Sequence, residues 1–278
     1  MAQVHTDPQT ISGLIVEHMA DVMYFDLGRY LVAASIMTAI LWLGSRWLEI
    51  RRIQKRRAKP EDYRREFLSS LRTVFVFGVT TLSTLAMKQT GLIRFSFDSF
   101  GWGTLALQTV AMIITHDAYF YWMHRAIHHK RLFRNWHLHH HKSRTPTPWA
   151  AYSFSGREAV SEAAFVPLYL LIVTTLGIEY VGFAVFLFLW HMIIRNVIGH
   201  CGVEIYPRGW VDNPLTGWWN TVTHHDLHHS SGTSNFGLYF TWWDRWMGTE
   251  HPRYRETFRE VTGRERDKPV EALGEPAE

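Results

Sequence analysis

Long apolar stretches with few charged residues constrain this chain most, because each is apolar enough to enter a membrane. They are Leu27–Leu48, Thr73–Met87, Leu105–Phe120 and Ala163–Val197. A helix of about 20 apolar residues spans a bilayer. The last stretch would overrun one crossing at about 1.5 Å per residue, so it predicts a helical hairpin turning near Gly177–Tyr180. We therefore predict an all-α integral membrane bundle with about four crossings, the last two forming the hairpin.

The charge pattern predicts the orientation of this bundle. Eight Lys and Arg residues fall between Arg51 and Arg65, and the positive-inside rule places such a segment in the cytoplasm and the N-terminus outside. The residues before Leu27 lack the basic start of a signal peptide. One cysteine, Cys201, excludes a disulfide scaffold or a cysteine zinc finger. We divide the chain into an N-terminal segment 1–26, a membrane-embedded domain 27–261 and a disordered tail 262–278.

Histidines are concentrated in one part of the chain. Fourteen of the 17 lie between His116 and His229. Neutral imidazole suits iron, zinc, copper and nickel, whereas magnesium and calcium prefer oxygen ligands. Eight or more imidazoles exceed what one ion holds, so we predict a histidine-rich di-metal cap, on the cytoplasmic side by the crossing order. The dense groups are H-R-A-I-H-H at 124–129, H-L-H-H-H at 137–141 and H-H-D-L-H-H at 224–229.

Several residues near these groups have a structural interpretation. We expect His139 at the surface, and His116 and His191 as histidines of apolar helices. Asp117 and Asp226 are expected to accept imidazole N–H bonds and so support the ligands. The basic clusters lack a nucleic-acid motif, and we expect no nucleic-acid partner.

The order and spacing of the three histidine groups resemble the boxes of the fatty acid hydroxylase and sterol desaturase superfamily. The connecting sequence agrees, with Tyr121 and Trp122 before the first box and Asn235 to Gly237 after the last. The segment Pro146–Ala150 resembles the one that follows the second box in sterol C5-desaturases. The chain therefore resembles the sterol C5-desaturase-like branch.

The resemblance implies a membrane oxidoreductase that hydroxylates or desaturates a sterol-like, fatty acyl or other isoprenoid lipid. It implies two iron ions, dioxygen, and electrons from NAD(P)H through a small carrier protein and its reductase. No catalytic residue beyond the metal ligands is expected. Relatives differ in the spacing of the first box, so His128 and His129 remain alternatives, and Asn196 stands where some relatives have a histidine. The predicted ligands are His124, His128, His129, His137, His140, His141, His200, His225, His228 and His229.

Two other classes remain as alternatives. A membrane zinc hydrolase usually carries a general-base glutamate beside its histidines, and H-E-x-x-H does not occur in the sequence. A non-enzymatic metal carrier would line its crossing helices with histidine. The aromatic residues Trp149, Tyr152 and Phe154 are interpreted either as the wall of an apolar pocket or as anchors at the membrane interface.

Overall fold

The computed structural model describes residues 11–98 and 100–264, with side chains from residue 18 onward. Residues 1–10 of the predicted N-terminal segment and 265–278 of the predicted tail lie outside the described residues. The helices of the bundle are α1 (Ile11–Leu43), α3 (Pro60–Gln89), α4 (Trp102–Ile127), α6 (Gly156–Ala163), α7 (Phe165–Thr175) and α8 (Gly182–Gly199), with the two-residue strands β1 (Phe95–Ser96) and β2 (Tyr180–Val181) between them. The other α-helices are α2 (Ser45–Leu48), α5 (Phe133–Trp136), α9 (Val222–Ser231), α10 (Trp242–Trp246) and α11 (Tyr254–Thr262).

Four described segments are long and apolar enough to cross a membrane, and the prediction of an all-α membrane bundle is confirmed. They are His18–Leu43, Pro60–Gln89, Gly156–Thr175 and Gly182–Gly199. The last two form the predicted hairpin. Gly177, in the turn between them, has a φ of +76°, a left-handed conformation that glycine adopts without a steric penalty.

The sequence prediction and the structure differ at two helices. Helix α1 begins at Ile11, so part of the predicted segment 1–26 is helical. Asp26 lies within this helix and forms a buried 2.7 Å ion pair with Arg29. Helix α4 is not among the four apolar segments, because Gln108, His116 and Asp117 lower its hydropathy. It nevertheless packs along α8 and returns the chain to the histidines.

The two ends of the bundle differ in composition. At one end, β1 pairs in parallel with β2. At the other end lie the histidines and the basic segment between α2 and α3. Ile53 donates its backbone N–H to the Gly202 carbonyl, and Gln54 donates to the Asp226 carboxylate. The basic segment and the histidines therefore share one end of the protein, which we call the cap.

Candidate metal centre

Three parts of the chain bring the histidines into the cap. The last turns of α4 carry His124 and His128 on one face, as the i,i+4 spacing predicts. A 3₁₀ turn at His140–Lys142 folds the second histidine group under them. Helix α9 carries the third group, and the Thr221 side chain caps its first turn by accepting the N–H of His224 at 3.3 Å.

These elements bring nine histidines together in two groups. Within each group the ring nitrogens available for coordination lie within 4.8 Å of one another. The rings of His141 and His229, one from each group, have centroids 5.0 Å apart, so the groups are adjacent. The five-histidine group contains His124, His128, His137, His141 and His228, and the four-histidine group contains His140, His200, His225 and His229.

In the five-histidine group the Nε2 atoms face one another. Nε2 of His124 lies 2.9 Å from Nε2 of His137. Nε2 of His141 lies 3.2 Å from that of His128 and 3.0 Å from that of His228. The five rings therefore point the same atom at one small volume.

The four-histidine group has the same arrangement. Nε2 of His200 lies 3.0 Å from Nε2 of His225 and 3.3 Å from that of His140. Nε2 of His229 lies 3.2 Å from both His200 and His225. All four side chains are buried.

In four of these histidines the opposite ring nitrogen, Nδ1, contacts a backbone carbonyl. A carbonyl oxygen only accepts, so each Nδ1 that contacts a carbonyl carries the proton and leaves Nε2 with a free lone pair. The shortest of these hydrogen bonds joins the Nδ1 of His200 to the carbonyl oxygen of Asn196, at 2.7 Å. The pairs are His124 with Phe236 at 2.9 Å, His140 with Ser153 at 3.4 Å, His200 with Asn196 and His228 with Ser234 at 2.8 Å.

Facing lone pairs at about 3 Å repel each other unless a cation lies between them. A metal–imidazole bond of about 2.0–2.1 Å separates neighbouring ligand atoms at right angles by about 3 Å. Burial also lowers the pKa of His141 to about 3 and that of His200 to about 4, so these imidazoles stay neutral. The residues present therefore fit two metal ions, one in each group.

Support from a carboxylate comes from a residue that sequence reasoning did not select. Glu158 on α6 accepts the Nδ1 proton of His137 at 2.6 Å, and both residues are buried. Such a partner fixes the ring and raises its basicity as a ligand. No spacing rule connects Glu158 with the histidine boxes, since α6 reaches His137 only through tertiary packing.

The predicted support from two aspartates is wrong. Asp117 accepts hydrogen bonds from the Tyr239 N–H at 2.9 Å and from the Trp242 indole at 2.7 Å. Asp226 accepts from the Gln54 amide at 3.0 Å. Both carboxylates are buried, and their partners join the cap loops to α4 and to the basic segment.

Nine of the ten predicted ligands lie in the two groups. The tenth, His129, is exposed, and its Nδ1 accepts only the backbone N–H of Arg131 at 3.4 Å among the contacts described. His139 is half-buried rather than a free surface residue, because its Nε2 lies 2.6 Å from the Ser69 hydroxyl. Asn196 does not point its amide at the histidines. Its amide donates to the Ala151 carbonyl at 2.7 Å.

An apolar cavity of about 320 Å³ lies inside the bundle between α1, α3, α7 and α8. Its wall includes Phe77, Phe165 and Phe188, with Arg29, His116 and Glu162 as charged or polar members. Tyr152 packs on this wall, with its ring centroid 5.0 Å from that of Phe77. The aromatic segment after the second box therefore faces the bundle interior at Tyr152 and is not an interface anchor there.

An all-α membrane bundle with nine clustered imidazoles defines a membrane protein with a candidate two-metal centre. The family model described as "Fatty acid hydroxylase" matches residues 109–249, half of the chain and all nine clustered histidines. The chain belongs to the fatty acid hydroxylase family.

Relatives with known names agree with this assignment. A Delta(7)-sterol 5(6)-desaturase of Gibberella zeae is 28% identical over 67% of this chain and 55% of its own length. A second Delta(7)-sterol 5(6)-desaturase, of Aspergillus fumigatus, is 29% identical over 68% of this chain and 63% of its own length. Lathosterol oxidase of Rattus norvegicus is 26% identical over 68% of this chain and 61% of its own length. The chain thus spans less than two thirds of the length of these relatives. No solved structure matches. The resemblance to the sterol C5-desaturase-like branch is confirmed.

Proposed function

We propose that this membrane lipid oxidoreductase is a di-iron enzyme that uses dioxygen to hydroxylate or desaturate its substrate. The observation that carries the proposal is the convergence of nine histidine ring nitrogens in two adjacent groups. When bound, the metal supplies the oxidising power that side chains lack for breaking an unactivated C–H bond. The histidine groups hold it, while the packed cap keeps bulk water out.

Ligand number favours iron over zinc. Structural zinc takes four protein ligands and catalytic zinc takes three with a water molecule. The five-histidine group exceeds both numbers. Iron accepts imidazole readily and accommodates up to six ligands. This observation also weighs against the zinc hydrolase alternative.

The proposed reactions differ in how they use the same reactants. Hydroxylation of a C–H group consumes one dioxygen, two electrons and two protons, and yields the alcohol and one water. Desaturation of a CH–CH unit consumes the same reactants and yields the alkene and two waters. We propose that the electrons come from NAD(P)H through a small carrier protein and its reductase, as the family likeness implies. The names of the relatives favour a sterol-like lipid.

We propose that the cap faces the cytoplasm. The basic segment contacts the cap directly, since Arg51 donates to the Tyr206 carbonyl at 2.7 Å, and segments rich in Lys and Arg stay cytoplasmic. A reporter that is active only outside the cytoplasm should be silent when fused after Arg57 and active when fused near Phe97. Activity after Arg57 would contradict the proposed orientation.

Metal analysis combined with lipid mass spectrometry tests the function. We expect two irons per chain that resist a chelator, and a host lipid that gains one oxygen atom or loses two hydrogen atoms when the protein is present. Zinc accompanied by lipid hydrolysis would establish the hydrolase instead. Metal that exchanges rapidly, with no change in lipid mass, would establish a metal carrier.

A further inference from the structure

Exposed aromatic side chains mark both ends of two helices of the bundle. On α4, Trp102 and Trp122 are exposed and lie 20 positions apart, about 30 Å along the helix, which equals the thickness of the hydrocarbon core of a bilayer. On α1, the exposed Tyr24 and Trp42 lie 18 positions apart, or about 27 Å. Tryptophan and tyrosine concentrate at the two membrane–water interfaces. Trp122 and Trp42 therefore mark the interface at the cap end of the bundle.

Between its two tryptophans, α4 presents an apolar stripe. Leu107, Val110 and Ile114 are all exposed, and steps of three and four residues place them on one face of the helix. Two further steps of four along this face reach Ala118 and Trp122. An exposed apolar face that ends at an interface tryptophan is a face toward lipid. Trp122 therefore lies where the lipid-facing side of α4 meets the cap.

Trp122 begins a continuous series of indole rings that runs from α4 into the cap. Its ring centroid lies 5.8 Å from that of Trp243, and the centroid of Trp243 lies 5.4 Å from that of Trp246. The ring of Trp242 then stacks on that of Trp246 at 6.0 Å and on that of Trp218 at 6.1 Å, with interplanar angles of 7° and 11°. We call these five residues, Trp122, Trp218, Trp242, Trp243 and Trp246, the tryptophan belt.

The polar atoms of the belt suit the headgroup layer of a membrane. The indole N–H of Trp242 donates to Asp117 at 2.7 Å, and it is the only one of the five with a hydrogen bond among the described residues. At an interface, an indole keeps its ring in lipid and its N–H among the headgroups. The guanidinium of Arg125 lies 5.8 Å from the ring centroid of Trp122, and a cation at this depth can pair with lipid phosphate.

The cap has a second exposed side with the opposite composition. At the start of α11, Arg253 pairs with Glu256 at 3.0 Å and with Glu260 at 3.7 Å, and all three side chains are exposed. Exposed ion pairs of this kind are typical of a surface in water. The two sides of the cap therefore suit different surroundings.

We propose that the tryptophan belt embeds one side of the cap in the headgroup layer of the membrane. Helix α10, which carries three of the five indoles, then lies at the depth of the headgroups, while α11 lies in water. His124 follows Trp122 by two residues, so the histidine groups lie beside the boundary of the hydrocarbon core. This inference goes beyond the proposed function, because it holds for any metal that the histidines bind.

Nitroxide labels measure the depth of the belt. The holoenzyme is reconstituted in phosphatidylcholine vesicles with a label at Trp246→Cys or at Trp122→Cys, while the natural cysteine, Cys201, is buried and stays unlabelled. Relaxation of the label by oxygen, which concentrates in lipid, is compared with relaxation by a nickel chelate, which stays in water. We expect both labels to be buried about 5–10 Å into the boundary between headgroups and acyl chains.

Glu256→Cys is the matched control on the other side of the cap. Trp246 is 65% exposed and the Glu256 side chain is 59% exposed, so the two sites are similarly open in the protein itself. We expect the label at Glu256 to respond to nickel and not to lipid-dissolved oxygen. An equal response to nickel at Trp246 and Glu256 would overturn the proposal. An embedded label at Trp122 with a label in water at Trp246 would also overturn it, because the belt would then leave the interface.

Two further measurements complete the test. Bound metal in the same samples shows that each labelled protein keeps its folded cap, and Met247→Cys, an exposed position beside the belt, replaces Trp246→Cys if that variant loses its metal. A label at the belt that neither oxygen nor nickel reaches would mean that another protein surface covers it, which would contradict the proposal. The measured depth does not depend on the identity of the metal, so the failure of this inference would leave the di-iron proposal standing.

Discussion

The two histidine groups of the cap differ in number and in support. The five-histidine group has one ligand more and a carboxylate behind His137. In the four-histidine group the described Nδ1 contacts are to carbonyls, and that of His140 is long at 3.4 Å. A carboxylate makes an imidazole a better ligand than a carbonyl does. We therefore expect the first group to hold a metal ion more tightly than the second.

Removing one ligand from each group should have the largest effect. His225→Ala leaves three imidazoles in its group, whereas His228→Ala leaves four in the other. We expect both to abolish lipid oxidation, with His225→Ala losing its metal more completely. Iron per chain and turnover measure this. Equal iron loss in the two variants would contradict the difference between the groups.

Replacing the carboxylate behind His137 should act on one group alone. Glu158→Gln keeps the shape and removes the charge, so we expect a loss of about 10–100-fold in the metal affinity of the five-histidine group. Titration with a chelator measures both sites in one experiment. Weakening of both sites to the same extent would show that Glu158 acts on the fold and not on one metal.

Acid should destabilise the metal-free protein through both groups. The pKa of His141 falls to about 3 and that of His200 to about 4 in the folded state, against about 6.5 when unfolded. The unfolded chain therefore binds more protons below about pH 6.5, and stability is lost as the pH falls from about 6.5 to about 3. Thermal melts of chelator-treated protein check this, and a Tm independent of pH over that interval would contradict it.

A smaller effect is expected at Asn196, behind the four-histidine group. Asn196→Ala leaves the Ala151 carbonyl without its donor at a cost of about 1–3 kcal/mol in stability. The backbone carbonyl that orients His200 remains. We expect a lower Tm with iron retained in both groups. Loss of one iron per chain would mean that the side chain, and not only the backbone, supports the metal.

The smallest effect is expected at His129, which lies outside both groups. His129→Ala should change stability by less than about 0.5 kcal/mol, because the side chain is exposed. Iron content and turnover should match the wild type. A loss of iron would return His129 to the ligand set in place of His128.

The sequence predicted those features of the fold and the site that depend on the spacing of residues along the chain. Helical periodicity placed His124 and His128 on one face, and the length of the apolar stretch ending at Val197 required a hairpin. The support of the ligands was not predictable in this way. Glu158 meets His137, and Ala151 meets Asn196, only after separate helices pack. The aspartates adjacent in sequence to the boxes were chosen for proximity along the chain, and their partners lie elsewhere.

Helix α4 has a consequence for how the protein enters the membrane during synthesis. Asp117 receives its N–H donor from Tyr239, 122 residues later in the chain, and Gln108 donates to the carbonyl of Glu179. An unpaired aspartate at the centre of a membrane helix costs about 2.5–3.5 kcal/mol during insertion. We therefore expect α4 to be stable in the bundle only after the hairpin and the cap have been synthesised. The hairpin turn and the loop before α10, which are made later, thus supply the polar partners of a helix made earlier.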